Sequence, residues 1–350
     1  VPSSVPGSGI TFIQRREMVL VTGANGFVGR HLVQYLSAQG QQVRALYHRR
    51  QPDDTLRQLP GVQWMQCDLL DVYAVEEALQ GVERIYHCAA VVSFHPRDKA
   101  GMMQVNVTGT AHLVDEALVQ GVQKLVYISS VAALGRNAGT VHITEEEQWA
   151  ESRYNSAYAQ SKYLAEMEVW RGMAEGLDAV VVNPGIILGA GDWNLGSSRL
   201  MKLAYDEFPF YTQGVNAWVD VRDVVRGAVM LMESDITAEC FILSAGNYSY
   251  REVFTLMAEA LKRRPPRKRA TLLMTGLVWR WNMLKSVFTG ATITITKETA
   301  RNAQKVCYYS NDKLRRFIPD FQYTELRDTI GAMAGAFLAD NGMSPGNGRF

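Results

Sequence analysis

The chain has 350 residues, of which 47% are apolar and 20% charged, and its formal net charge is +1. That length accommodates one large α/β domain and a smaller lobe, each with its own core, so no disulfide or metal staple is required. The near-zero charge argues against nucleic acid as principal partner, because phosphate binding leaves a strongly basic domain, and the composition excludes a disordered or fibrous chain.

Residues 1–16, rich in Pro, Ser and Gly and lacking an apolar stretch, read as a flexible tail or cloning scar. From Met18 onward short apolar runs alternate with helical patterns: Met18 to Thr22, Val43 to Tyr47, Arg84 to Cys88, Leu125 to Ser129 and Ala179 to Asn183. This rhythm predicts a Rossmann-type, doubly wound parallel sheet with crossover helices. The first helix is expected from about Gly26 to Gln39, with Phe27, Val28, Leu32, Tyr35 and Leu36 on one side and Gly40 as its stop. After Asn183-Pro184-Gly185 the pattern breaks, returning with Val219 to Met232 and Phe241 to Leu243. We therefore expect a dinucleotide-binding domain over 17–184 and 217–246, and a smaller mixed α/β substrate lobe over 185–216 and 247–340.

The run Thr22-Gly23-Ala24-Asn25-Gly26-Phe27-Val28-Gly29 falls where the first strand turns into the first helix. Gly23 allows the tight turn, Gly26 lets backbone approach a pyrophosphate, and Gly29 lets helix and strand pack closely. Free amides and the helix dipole there favour a diphosphate, and Asn25, Phe27 and Val28 belong to the same cradle. The second strand ends Leu46-Tyr47-His48-Arg49-Arg50, without the carboxylate that would hold a ribose 2′-hydroxyl. Arginine suits a 2′-phosphate, so His48, Arg49 and Arg50 point to NADP(H) in preference to NAD(H). Asp68, followed by Leu69, is placed to meet the adenine edge, and Ala89 and Ala90 supply small side chains after the fourth strand.

Tyr158-Ala159-Gln160-Ser161-Lys162 places Tyr and Lys at i and i+4, on one helical face directed into one cleft. A nearby ammonium favours the phenolate and draws the tyrosine toward working pH, while Ser130 is positioned to hold a substrate oxygen opposite it. Tyr309-Ser310-Asn311-Asp312-Lys313 has the same spacing but lies in the second lobe, where it reads as structural. Candidate substrate-wall residues are Val91, Phe94, Gly135, Tyr154, Ile186 and Trp193, an apolar and aromatic set.

Other chemistries lack their residues. The six histidines show no His-Glu-x-x-His pattern, no Cys/His cluster has zinc spacing, and no Gly-x-Ser-x-Gly elbow or Walker lysine motif occurs. Cys67, Cys88, Cys240 and Cys307 form no Cys-x-x-Cys pair and suit the reduced core of a cytoplasmic protein. Leu272 to Phe288 is interrupted by Arg280 and Lys285, which favours a buried or lid helix over a membrane span. The basic run Arg263 to Arg269 reads as a solvated linker, with contact to an anionic surface as the sharper alternative.

Several ordered motifs from Met18 to Leu243 together resemble an extended short-chain dehydrogenase/reductase of the NAD-dependent epimerase/dehydratase superfamily. They are Thr22-Gly23-x-x-Gly26-x-x-Gly29, Asp68-Leu69-x-Asp71, His87-x-Ala89-Ala90, Asn106-Val107-x-Gly109-Thr110, Ser129-Ser130, Tyr158-x-x-x-Lys162, Asn183-Pro184-Gly185 and Val219-Asp220-Val221-x-Asp223. The resemblance implies Tyr158 as acid/base, Lys162 as its partner and a ligand of the nicotinamide ribose, Ser130 as carbonyl holder, and a structural or relay role for Asn106. It adds Val91, Ser129, Asn183, Pro184, Gly185 and Ile186 to the cofactor-binding set. Val43 to Leu46, Val91 to Phe94 and Ser130 to Gly135 look most like dihydroflavonol reductase and hydroxysteroid dehydrogenase relatives. Where nucleotide-sugar epimerases carry an arginine, this chain reads Asn216-Ala217-Trp218, and the stretch from Pro184 to Asp220 is short for gripping a sugar diphosphate.

The expected function is therefore NAD(P)-dependent reduction of an aldehyde or ketone, or oxidation of the alcohol, on a mainly apolar small molecule. A nucleotide-sugar epimerase or dehydratase is the alternative, and a non-catalytic dinucleotide sensor is disfavoured by the intact Ser, Tyr and Lys. No nucleic acid and no membrane span is expected. A homodimer through the helices near Asn106 and Tyr158 stands as the alternative to a monomer.

Overall fold

The apolar runs of the first half become strands of one sheet because each is buried on both sides. In β1 (Met18–Thr22), Val19 and Val21 enter one core while Leu20 enters the other. This period-2 division puts a helical layer on each face. A computed structural model describes residues 17–135, 141–152, 155–270 and 303–343. Its main elements continue with α1 (Phe27–Ala38), β2 (Gln42–Tyr47), α2 (Asp54–Arg57), β3 (Val62–Gln66), α3 (Val72–Leu79) and β4 (Arg84–His87). Then come α4 (Lys99–Met103), a π-helical turn (Gln104–Thr108), α5 (Gly109–Val119), β5 (Lys124–Ile128), β6 (His142–Ile143), α6 (Ala157–Ala174) and β7 (Ala179–Pro184).

Six of the strands above and β11 (Glu239–Leu243) form a seven-stranded parallel sheet in the order β11-β7-β5-β4-β1-β2-β3. The order reverses between β1 and β4, so α1 and the β4 connection leave in opposite directions and open a crevice above the strand ends. Leu32, Val33 and Leu36 of α1 cover one face, while Leu113, Val114 and Ala117 of α5 with Ala165 and Val169 of α6 cover the other.

The second half continues with β8 (Ile186–Leu188), α7 (Arg199–Tyr205), β9 (Phe210–Tyr211), β10 (Val215–Asp220), α8 (Val221–Met232), β12 (Gly246–Ser249) and α9 (Tyr250–Ala260). It is completed by β13 (Lys268–Arg269), β14 (Tyr308–Tyr309), α10 (Asp312–Phe317) and α11 (Leu326–Asp340). A three-stranded sheet, β12-β10-β8, packs with α7, α9 and α11 around Trp218, Met257, Ile330 and Phe337. β10, which the resumed sequence rhythm suggested belongs with the nucleotide domain, thus enters the smaller sheet, while α8 behind it still covers the large one. The fully buried Asp223 ties the layers, accepting hydrogen bonds from Thr324 N at 2.7 Å and Thr324 Oγ1 at 2.9 Å and pairing with Arg226.

Cys67, Cys240 and Cys307 are buried and Cys88 half-buried, all as free thiols. Tyr309 is also buried, in a small cluster with Ile143 and Ile242. Lys268 and Arg269 pair with β9, and Arg263 lies over the Tyr205 ring, so the basic run is fixed at both ends. Among the described residues no helix is long and apolar enough to cross a membrane. The Leu272 to Phe288 stretch, Tyr154 and residues 1–16 lie outside the described residues.

Candidate active site

The glycine turn has the shape its sequence requires. Gly23 sits at φ +60°, and a side chain there would strike the Ala89 backbone at 2.7 Å, so the turn lies against the end of β4. Gly26 is the extended residue preceding α1, and its Cα carries nothing into the crevice. The amides of the first helical turn have no acceptor within the helix and point to that crevice. This cradle fits a dinucleotide: donors at a helix N-terminus, a bare backbone where a phosphate approaches, and small Ala89 and Ala90 beside it. Asn25 donates to Arg50 O at 2.5 Å, and Arg30 pairs with Asp53 at 2.7 Å, so the loop after β2 is folded against the start of α1. His48 and Asp68 meet across the ends of β2 and β3 at 3.3 Å. Leu69 is buried beneath the start of α5, and its carbonyl lies 3.0 Å from His112 Nδ1.

On the opposite side of the switch point, α6 begins with a Ser156 cap, whose Oγ accepts from Ala159 N at 2.8 Å. That start places Tyr158, Ser161, Lys162 and Glu166 in the first turns of α6. Burial raises the Tyr158 phenol, and a hydrogen bond with Ser130 opposes the shift. Phe94 meets the Tyr158 ring edge-on, with centroids 5.7 Å apart. The structure thus joins Tyr158, Ser130 and Phe94 in one place. Ser130 also accepts from Ala132 N at 3.1 Å, which fixes its hydroxyl.

Lys162 departs from the expected pairing. Its Nζ donates to Tyr127 Oη at 2.7 Å and to Ile128 O at 2.9 Å, and lies 4.3 Å from the Tyr127 ring centroid. Only 1% of the residue is exposed, and burial pulls its pKa down to about 7 although Glu166 and Cys88 push it upward. In place of the lowering of Tyr158 expected from its lysine neighbour, desolvation raises it and disfavours the phenolate.

Asn106 lies in the π-helical turn, where the extra residue turns its side chain toward the β4 connection. Its Oδ1 accepts from Val91 N at 2.7 Å, and its Nδ2 donates to Val91 O at 3.0 Å and Ser161 Oγ at 3.0 Å. Ser161 in turn donates to Tyr158 O at 2.8 Å, so the loop carrying Val91 and Phe94 is tied to the helix carrying Tyr158. Behind it, the buried His87 lies between Thr22 Oγ1, 2.7 Å from Nδ1, and Thr110 Oγ1, 2.9 Å from Nε2. Desolvation lowers this imidazole to about 3, so it is neutral. Thr110 donates to Asn106 O at 2.6 Å and so accepts from Nε2–H, which leaves Nδ1 to accept from Thr22.

Ser129 donates to Glu166 Oε2 at 2.7 Å, and Asn183 donates to the same oxygen at 2.9 Å. Asn183 also donates to Ser130 O at 3.2 Å, holding the ends of β5 and β7 in register. Pro184 closes β7, and Gly185 lies so close to Ala217 that a Cβ would come within 2.6 Å of it. Ile186 is half-buried and pairs with Trp218. Two wall candidates have other neighbours: Trp193 packs edge-on against Phe337 and donates to Asp340 Oδ2 at 2.8 Å, and Gly135 is pressed against Gln148 O. Tyr127 and Glu166 were not singled out by sequence, and His87 and Ser161 entered it only as members of motifs, without a role of their own. Only Glu166 had a local signal, since it extends the Tyr158, Lys162 spacing by another four residues.

The family model for the NAD dependent epimerase/dehydratase family matches residues 19–241. Sterol demethylase protein B of Methylococcus capsulatus is 32% identical over 252 residues, covering 71% of this chain and 76% of that protein. A Synechocystis sp. protein whose name assigns it, provisionally, to dihydroflavonol 4-reductase is 31% identical over 279 residues, 77% of this chain and 80% of the relative. Among solved structures, gox2253 superposes with a TM-score of 0.79 at 28% identity, covering 94% of this chain and 100% of the other. UDP-glucose 4-epimerase of Thermotoga maritima, solved with UDP-glucose, has a TM-score of 0.72 at 19% identity over 93% of this chain and 99% of its own, a likeness of fold.

Proposed function

The chain belongs to the NAD-dependent epimerase/dehydratase family, and from that premise we propose that it is a reductase of aldehydes or ketones on mainly apolar small molecules. The observation that carries this reading is the state of Tyr158: half-buried, paired with Ser130 and held protonated by desolvation. A group that must give a proton to a carbonyl oxygen at neutral pH has to carry one, and this tyrosine does.

In this reading the Gly23 to Gly29 turn holds the diphosphate of the cofactor and Arg49 with Arg50 the 2′-phosphate of NADP(H). The bound nicotinamide supplies the hydride. Ser130 orients the substrate oxygen by a hydrogen bond, Tyr158 donates its proton to that oxygen, and Lys162 stabilises the phenolate left behind. Phe94 and Val91 form an apolar wall that excludes water and favours carbon-rich substrates. The dihydroflavonol reductase name of one relative and the cinnamoyl-CoA reductase name of a Petunia hybrida protein, 30% identical over 236 residues, support carbonyl reduction. The layer built on β8, β10 and β12 is the substrate lobe in this proposal.

The test is a panel of aldehydes and ketones with NADPH and NADH, followed by loss of reduced-cofactor absorbance. We expect turnover that is faster with NADPH and favours apolar carbonyls. Retention of bound NAD with no net cofactor consumption, together with turnover of a nucleotide sugar, would replace this reading with that of an epimerase.

A further inference from the structure

Lys162 is buried without a carboxylate in contact, yet a route to one exists. Its ammonium donates to Tyr127 Oη at 2.7 Å, the Ser129 side chain faces the Tyr127 hydroxyl, and Ser129 Oγ donates to Glu166 Oε2 at 2.7 Å. Glu166 is only 5% exposed, and the partners of its oxygens are all donors: Ser129, Asn183 and Trp170 Nε1, the last at 3.3 Å. A carboxyl group met only by donors is placed as an anion. We propose that Glu166 is a positioning residue of this site, whose carboxylate, linked through the hydroxyls of Ser129 and Tyr127, is the counter-charge of the Lys162 ammonium.

The physical case rests on the cost of burying a lone cation. Desolvation disfavours the charged lysine, and only an opposite charge in the same low-dielectric interior offsets it. The groups facing Lys162 are Tyr158 and Glu166 from α6, Tyr127 from β5, and His87 and Cys88 from β4 and its end. His87 is neutral, and burial pushes the Cys88 thiol up to about 12. Tyr127 is raised by burial and by Glu166 itself, so it too stays neutral. Glu166 is therefore the anion of the set, and Cys240, on its far side, is a thiol raised to about 12. The same carboxylate anchors Ser129 and Asn183, so it also fixes the strand end carrying Ser130.

This inference rests on the proposed role of Tyr158 and Lys162, but its test does not need turnover. The ionisation of Lys162 is read from its ¹³Cε shift in selectively labelled, full-length, cofactor-free protein, with the signal assigned by its loss in Lys162→Met. Glu166→Gln is expected to lower the midpoint by about half a pH unit or more, because removing a nearby anion favours the neutral amine. A smaller shift overturns the proposal. Tyr127→Phe keeps the carboxylate but cuts the route and is expected to shift the midpoint in the same direction. If Glu166→Gln does not fold, this variant carries the test against the same threshold. If Glu166→Gln shifts the midpoint and Tyr127→Phe does not, the hydroxyl route is refuted. A shifted lysine in a protein that reduces no carbonyl would leave the counter-charge standing and remove the reductase reading instead.

Discussion

Replacing Gly29 by alanine separates helix packing from ligand approach. A Cβ at this position would stand 2.2 Å from Gly23 O, 2.8 Å from Gly23 C and 2.9 Å from Ala24 Cα, all backbone atoms of the turn between β1 and α1. Ordinary contact begins near 3.4 Å, so the helix start must retreat by about 1 Å. Overpacking of this kind costs about 1–3 kcal/mol, and the better helix propensity of alanine returns up to about 1 kcal/mol. The obstruction is backbone and cannot rotate away, so strain wins, and a net loss of about 1–2 kcal/mol is expected. The displaced first turn also misaims the amides offered to a diphosphate, which should weaken NADPH binding by roughly tenfold or more, a cost of about 1.4 kcal/mol. Gly26→Ala is the contrast: its Cβ would meet only Gly23 O, at 3.0 Å, so stability should be nearly unchanged while the added methyl obstructs the phosphate. Urea unfolding and calorimetric titration with NADPH measure both quantities. Unchanged affinity in both variants would refute the assignment of this turn to the cofactor.

Three further outcomes are expected. Asn106→Ala strips both backbone groups of Val91 of their partners and should cost roughly 2–3 kcal/mol in urea unfolding, with a raised KM as the loop bearing Phe94 loosens. Wild-type stability would argue that water replaces the amide. Lys162 titrates near 7 when folded and near 10.4 when unfolded, so between these values the unfolded chain binds the extra proton and stability rises with pH. The stability of the wild type relative to Lys162→Met should therefore climb from pH 7 to pH 10, and parallel curves would contradict the lowered pKa of the buried lysine. Arg49→Glu combined with Arg50→Glu should weaken NADPH by roughly tenfold or more and NADH far less. Equal weakening of both would assign these arginines to the loop alone.

The centre of the sheet was readable in the chain because strands such as β5 and β7 are short and buried throughout, and β1 lies where the Met18 to Thr22 run put it. The glycine turn and the Tyr158 helix were readable for the same local reason, since their spacing is itself the signal. The roles of His87 and Tyr127 were not, because a buried histidine and tyrosine on strands look like ordinary core until Thr22, Thr110 and Lys162 arrive from distant segments. The direction of the Tyr158 shift was also hidden. Sequence shows a lysine four residues away, while the depth of burial and the diversion of that lysine to Tyr127 are properties of packing. Trp193 illustrates the converse: an aromatic in a glycine-rich loop suggested a substrate wall, but its indole N–H is matched to Asp340 on the last helix.

The central claim is that the Tyr158 hydroxyl delivers the proton to the reduced substrate. Its most direct measurement is single-turnover oxidation of bound NADPH by the best carbonyl of the panel, in wild type and in Tyr158→Phe, with the cofactor dissociation constant determined alongside. The account predicts a rate lower by roughly two orders of magnitude or more with nearly the same cofactor affinity. An undiminished rate in the phenylalanine variant would contradict it.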